Sequence, residues 1–329
     1  MKAFTNANAR DLQQAVTLAQ QAGRKGLAAS FAGGGSDLLQ LAKERIVAPD
    51  VIVNLKTIKN LDRVTPRAGG VEVGGLLTLD AISNHPTISR DYAVLSEAAG
   101  SVATPQIRNV GTLAGNVCQR PWCWYFRNGF PCLKNGGTTC FSVTGENQFH
   151  AIFGGGPSYI VHPSDTAPAL VALDATFRVV GPSGERLVPA ADFFLLPREN
   201  AARENVLGPE EVLASIQIPA TRPGTRSTYH KVLDREAWTH AVVSAAIVLE
   251  MDQATCRSAR IVLGGVAPIP WRLLEVEGLL AGQRITPELA AKAAEASIAG
   301  ARPLQKNAYK IPLTKGVVRR TLLELAGRA

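Results

Sequence analysis

FAGGGSDLL, residues Phe31 to Leu39, is the stretch whose reading decides the fold. The apolar run from Leu27 to Phe31 leads in as a strand. Gly33-Gly34-Gly35-Ser36-Asp37 is a turn, and Leu38, Leu39 and Leu41 begin a helix. Glycines let backbone N–H groups approach an anion closely, and a helix start adds favourable partial charge. The motif is not a Walker loop, because no Gly-Lys-Ser/Thr follows, nor is it the spaced G-x-G-x-x-G of a dinucleotide fold. A glycine triplet by itself is more often a plain turn. The argument therefore needs a second element.

Thr104 to Asn116 supplies it, with Arg108 and Asn109 followed by Gly111, Thr112, Gly115 and Asn116. Two such clusters, far apart in the chain, fit the ends of one long ligand. FAD has that shape: its pyrophosphate needs backbone donors and its flavin a close-fitting wall. A side chain at Gly34 is expected to stand where the pyrophosphate approaches.

Around these loops the chain alternates strand and helix signals. A short strand is expected at Lys2 to Phe4, and a helix at Ala9 to Ala22, where Leu12, Ala15, Val16 and Ala19 recur at helical spacing. Val51 to Asn54 and Gly70 to Gly75 read as strands, Leu79 to Ile82 and Tyr92 to Ala99 as helices. Tyr159 to His162 reads as a strand entering Pro163-Ser164-Asp165, with Ser164 capping a helix over Ala167 to Leu173. Phe177 to Val180 and Glu185 to Val188 form a hairpin. Past the Pro/Gly-rich stretch Pro219 to Gly224, strands are expected at Ala241 to Met251 and Arg257 to Val266. Helices follow near Pro287 to Ile298 and Thr314 to Leu325.

With 329 residues, 46% of them hydrophobic, the chain can bury two or three cores. Its net charge of +8 comes from scattered basic residues with no aromatic-interleaved Lys/Arg run, which argues against nucleic acid as a partner. No apolar run approaches the roughly 20 residues of a membrane span. No leader stands at the N-terminus, so the cytoplasm is the expected compartment.

Four of the five cysteines, Cys118, Cys123, Cys132 and Cys140, fall in one Gly-, Pro- and aromatic-rich loop. Four thiolates suit a structural zinc or an iron–sulfur cluster. Disulfides fit poorly, since the chain is too long to need staples, and zinc sites ordinarily use short C-x(2 to 4)-C knuckles, of which no C-x(2)-C pair occurs here. The iron–sulfur reading is preferred, because Trp122, Trp124, Tyr125, Phe126 and Phe130 can form an apolar shell. Inert thiols remain an alternative. Cys256 reads as a small buried hydrophobe, and His85, His150, His162, His230 and His240 as packing or hydrogen-bonding residues.

The chain resembles the FAD-binding medium subunit of the molybdenum hydroxylase family. FAGGGSDLL and QIRNVGTLAGN (Gln106 to Asn116) are similar to its two flavin-pyrophosphate loops, and HPSDTAPAL, LGGVAPIPWR and NAYK to further segments. The resemblance implies an α+β fold: a two-part FAD-binding domain of the vanillyl-alcohol-oxidase type (1–57 and 58–221, with the cysteine-rich loop at 117–157) and a smaller α+β C-terminal domain (222–329). It implies cofactor contacts from Ala32, Gly33, Gly34, Gly35, Ser36, Asp37, Thr104, Arg108, Asn109, Gly111, Thr112, Gly115, Asn116, Asp165 and Lys231. It further implies a molybdenum-cofactor large subunit and a two-iron two-sulfur small subunit as partners, with electrons passing through the flavin to an external electron acceptor.

QRPWCWYFR and the cysteines after it resemble an insertion that holds a 4Fe-4S cluster in one branch of the family, that of periplasmic aldehyde oxidoreductases and hydroxybenzoyl-CoA reductases. Where that branch has its last cysteine, this chain has Ser158. Cys118 is therefore expected as the fourth ligand, and its loss is expected to leave FAD in place. Export on a partner's signal to the periplasm is the alternative location. Two other functions stay open: a free-standing FAD-dependent reductase of the same fold and a zinc-containing assembly protein.

Overall fold

The computed structural model describes residues 1–235 and 240–327 and builds three sheets. The first is parallel: β3 (Val51–Asn54) lies between β1 (Thr5–Asn8) and β2 (Ala29–Ala32). Parallel neighbours need a crossover, supplied by the helix Leu12–Arg24, whose Ala15, Val16, Ala19 and Ala22 are buried. Asp11 caps it by accepting from the Gln14 backbone N–H at 2.7 Å. The first strand lies just past the expected Lys2 to Phe4, because register with Val51–Asn54 selects Thr5–Asn8.

The second sheet is antiparallel, in the order β4 (Val64–Arg67), β5 (Gly70–Gly74), β8 (Val212–Pro219), β6 (Thr176–Gly181), β7 (Gly184–Pro189). Its expected hairpin is β6–β7. The central strand β8 went unread in the sequence, although VLASIQIP is buried over nearly its whole length. The helices and the cysteine segment occupy the stretch between β5 and β6. Tyr159 to His162 forms no strand: it is an extended segment held by single bonds from Ala151 N to Tyr159 O and from His162 N to Ala267 O. After it, Ser164 Oγ accepts from Ala167 N at 3.0 Å and caps the buried helix Thr166–Ala172.

The third sheet pairs β9 (Thr225–Val232), β10 (Val243–Asp252) and β11 (Thr255–Gly264), with β12 (Trp271–Arg272) and β13 (Gln283–Arg284) on β11. β10 reads VSAAIVLEM and is apolar along both faces for a reason. Ala246 and Val248 pack with the second sheet's core and the helix Thr166–Ala172, while Ala245, Ile247 and Leu249 pack beneath the helices Pro287–Ala296 and Lys310–Gly327. Cys256 is fully buried in this second layer. Among the described residues no helix is long and apolar enough to cross a membrane.

Candidate functional site

The two glycine loops meet backbone to backbone. A Cβ on Gly34 would overlap the carbonyl oxygen of Val110, and one on Gly33 would lie 2.8 Å from Thr112 Oγ1. Gly35 adopts φ +75°, a left-handed conformation that disfavours other residues. The second loop is pinned from below, where Leu79 N donates to Gly111 O at 2.9 Å and Leu113 N to Leu77 O at 3.0 Å. Thr112 caps the turn Leu113–Val117 by accepting from Gly115 N at 3.3 Å.

Two cavities open on either side of this contact. One, of about 350 Å³, is lined by Ala32 to Asp37, Thr112, Gly115, Cys118 and the start of β8. The other, of about 380 Å³, is lined by Gly111, Asn116, Trp122, Trp124, Asp165 and His240 among others. Ser36, Asp37, Thr112, Gly115 and Gln119 line both. Each volume lies within the roughly 300–1,000 Å³ of small-molecule sites. The geometry fits an elongated ligand with a narrow, polar middle and two broader ends, as a dinucleotide has. The bare glycines let the two loops close on each other where side chains would hold them apart.

Not every expected contact reaches this cleft. Thr104 caps the short helix Pro105–Arg108, Arg108 Nη1 donates to Val102 O at 2.9 Å, and Asn109 is exposed at that helix's end. None of these three lines either cavity. Asn116 lines the second cavity, but its Oδ1 accepts from Ser164 and Thr166 hydroxyls, both at 2.6 Å. Asp165 does not cap its helix. Its carboxylate accepts from Tyr229 Oη at 2.6 Å and from Lys231 Nζ at 2.7 Å, in a nearly dry setting. Burial first, and then the Asp165 charge, push the Tyr229 hydroxyl well above its ordinary pKa, so it stays a donor. Lys231 stands behind Asp165, outside the cavity lining, and also donates to Ser101 O.

The cysteine segment proves to be part of the cleft. Cys118, Gln119 and Arg120 line the first cavity, and Trp122 and Trp124 the second. Arg127, buried, donates to Asp37 Oδ1 at 2.7 Å, to Arg120 O and to Pro121 O, while Arg120 N donates to Asp37 Oδ2 at 2.9 Å. Glu204, also buried, pairs with Arg120 and Lys134, each at 2.6 Å. Sequence reasoning missed these ties, because an arginine in a loop carries no signal of its partner.

Cys123 and Cys132 share an apolar cluster with Leu41, Phe126 and Phe141. Burial chiefly, with a smaller contribution from the neighbouring Cys140 and Cys132, raises the Cys123 thiol to about 11. Cys140 Sγ lies 3.5 Å from Tyr159 N, next to Ser158 in the chain. Cys118 is placed elsewhere: it packs against the main core and faces the first cavity, where burial alone raises its thiol to about 12. Cys118 thus belongs to a different packing cluster from Cys123 and Cys132. Among the described residues no three His, Cys, Asp or Glu side chains converge to hold a single metal ion, so nothing favours a zinc centre. Cys132 is buried, while Cys123 and Cys140 are half-buried.

Residues 2–221 match the family described as the FAD binding domain in molybdopterin dehydrogenase, and residues 228–325 the CO dehydrogenase flavoprotein C-terminal domain. The aldehyde oxidoreductase FAD-binding subunit PaoB of Escherichia coli K12 is 33% identical, with 100% of both chains covered. The carbon monoxide dehydrogenase medium chain of Hydrogenophaga pseudoflava is 28% identical over 91% of this chain and 90% of its own. A solved carbon monoxide dehydrogenase from Hydrogenophaga pseudoflava superposes with a TM-score of 0.77 at 26% identity, covering 98% of this chain and 96% of that one.

Proposed function

The chain belongs to the FAD-binding subunits of the molybdenum hydroxylases, and from that premise we propose how it holds its cofactor and what it serves. It is the flavin-containing oxidoreductase subunit of a multi-subunit enzyme. FAD lies across the two cavities, its pyrophosphate at their shared middle against Gly33 to Asp37 and Gly111 to Gly115. The flavin ring lies in the second cavity, beside Asp165. The observation that carries this is the set of five residues common to both cavities. FAD supplies the ability to exchange electron pairs and single electrons; the protein supplies backbone donors, a dry carboxylate and an aromatic wall.

The partners are a molybdenum-cofactor large subunit and a two-iron two-sulfur small subunit, and the flavin hands electrons to an external acceptor. An aldehyde is the substrate class we favour for the assembly, on the 33% identity to an aldehyde oxidoreductase subunit. Cys123, Cys132 and Cys140 hold a 4Fe-4S cluster, and the cytoplasm is the compartment. The test is co-purification from the native source, with absorbance, iron and molybdenum content and an aldehyde-dependent dye reduction assay. Flavin with neither iron nor molybdenum, and no second polypeptide, would favour a free-standing reductase instead.

A further inference from the structure

Trp122 combines three features that Phe149 shares, and adds a fourth that Phe149 lacks among the described residues, a guanidinium over its ring. It is a large aromatic left 38% exposed, it lines the second cavity, and it also lines a smaller adjoining cavity of about 130 Å³ that contains Cys123 and His150. An indole so placed is held firmly. The Arg127 guanidinium carbon lies 4.6 Å from its ring centroid, and the His240 ring lies 5.4 Å away at a 39° tilt. Arg127 is in turn fixed by Asp37 of the glycine loop and by the carbonyls of Arg120 and Pro121. A cation over an indole attracts its face and fixes the ring's attitude as well as its position.

We propose that Trp122, held by Arg127, is the aromatic wall of the flavin-ring subsite, so that the cysteine segment completes the FAD site. This rests on the flavin ring occupying the second cavity. The same Arg127 holds both the loop at the ligand's middle and the ring at its far end, which couples the two through one side chain. A planar, electron-poor ring beside an electron-rich indole gains offset stacking beyond area burial. The indole also quenches the light emission of a ring it touches.

The test compares the holo complex carrying Trp122→Leu, Trp122→Phe or Ile107→Trp with the unmodified complex, reading flavin fluorescence and FAD affinity. Ile107 lines the second cavity away from the cysteine segment, so a bulky ring there obstructs the cavity whatever Trp122 does. The expected results are a several-fold rise in bound-flavin fluorescence and a roughly threefold to tenfold weaker FAD affinity for Trp122→Leu, with Trp122→Phe between it and the unmodified complex. If Ile107→Trp leaves FAD affinity unchanged, the placement of the ring in this cavity fails. If Ile107→Trp weakens binding while Trp122→Leu changes neither readout, the placement stands and the wall is overturned. Trp122 is half-exposed at a surface cavity, and circular dichroism of the variant checks that its fold is intact.

Discussion

Asp37 and Arg127, ninety residues apart, form a 2.7 Å charge-assisted hydrogen bond between the glycine loop and the cysteine segment. Its geometry predicts that the two segments fail together. The Arg127 guanidinium makes bonds in three directions, which an ammonium on a flexible stem cannot reproduce. Arg127→Lys and Arg127→Met are both expected to lower stability, the latter by about 1.5–3 kcal/mol, and to weaken FAD. Chemical denaturation and flavin titration check this; full FAD affinity in a folded Arg127→Met protein would show the loops to be independent.

Gly34 carries a separate prediction. Because its missing Cβ is what lets Val110 approach, Gly34→Ala is expected to lose about 1–3 kcal/mol by overpacking in protein stripped of flavin. A role confined to pyrophosphate contact would leave the stripped protein's melting temperature unchanged, and differential scanning calorimetry separates the two.

That difference shows where sequence reasoning stops. The glycine triplet, the Gly111 to Asn116 turn and the Ser164 cap were legible because backbone conformation leaves a local residue signature. Periodicity placed Val51–Asn54 and the β6–β7 hairpin for the same reason. What was not legible is which loop touches which: the Gly34 to Val110 contact, the Asp37 to Arg127 pair and the Glu204 bridge join residues that nothing in the chain marks as neighbours. Arg108 and Asn109 sit beside the right glycines in sequence and yet line neither cavity, Arg108 being bonded to Val102 O and Asn109 exposed at the end of a short helix. That Cys118 packs against the main core and not with Cys123 and Cys132 was illegible similarly, since spacing along a loop says little about direction across it.

Asp165 and Lys231 form a pair whose side chains are each 4% exposed. Removing one partner strands the other's charge in a dry site. Asp165→Ala is therefore expected to cost about 3–5 kcal/mol, whereas Asp165→Ala combined with Lys231→Met should recover most of it. A double-mutant cycle by urea denaturation is the measurement, and equal loss in the single and double variants would refute the coupling.

His162 supplies a pH dependence. Burial lowers its pKa from 6.5 to about 3, and its Nδ1 accepts from Ser164 N at 3.3 Å, which requires the neutral ring. The folded pKa lies below the unfolded one, so the folded state binds fewer protons between them. The stability this group contributes is complete above pH 6.5 and falls as pH drops toward 3, at up to about 1.4 kcal/mol per unit. His162→Gln is expected to flatten that slope. Denaturation midpoints of both proteins from pH 7.5 to 4.5 test it, and parallel curves would exclude His162 as the source.

The cysteines give the sharpest contrast, because the fold divides them. Cys123 and Cys132 lie in one apolar cluster and Cys140 Sγ lies 3.5 Å from Tyr159 N, while Cys118 packs against the main core at the first cavity. A cluster ligated by the first three depends on Cys132, whose replacement by serine substitutes a hydroxyl, a poor ligand when neutral, for a thiolate. Cys132→Ser is thus expected to lose iron and to expose the segment to protease, since metal binding supplies much of such a loop's order. Cys118→Ser is expected to keep its iron and to alter FAD affinity instead, because its side chain faces the cavity that the glycine loop lines. Iron assay, flavin titration and electron paramagnetic resonance on both variants decide the matter. Iron lost from Cys118→Ser and retained in Cys132→Ser would reverse the ligand assignment, and no iron in the unmodified complex beyond that of its small subunit would remove the cluster from this chain.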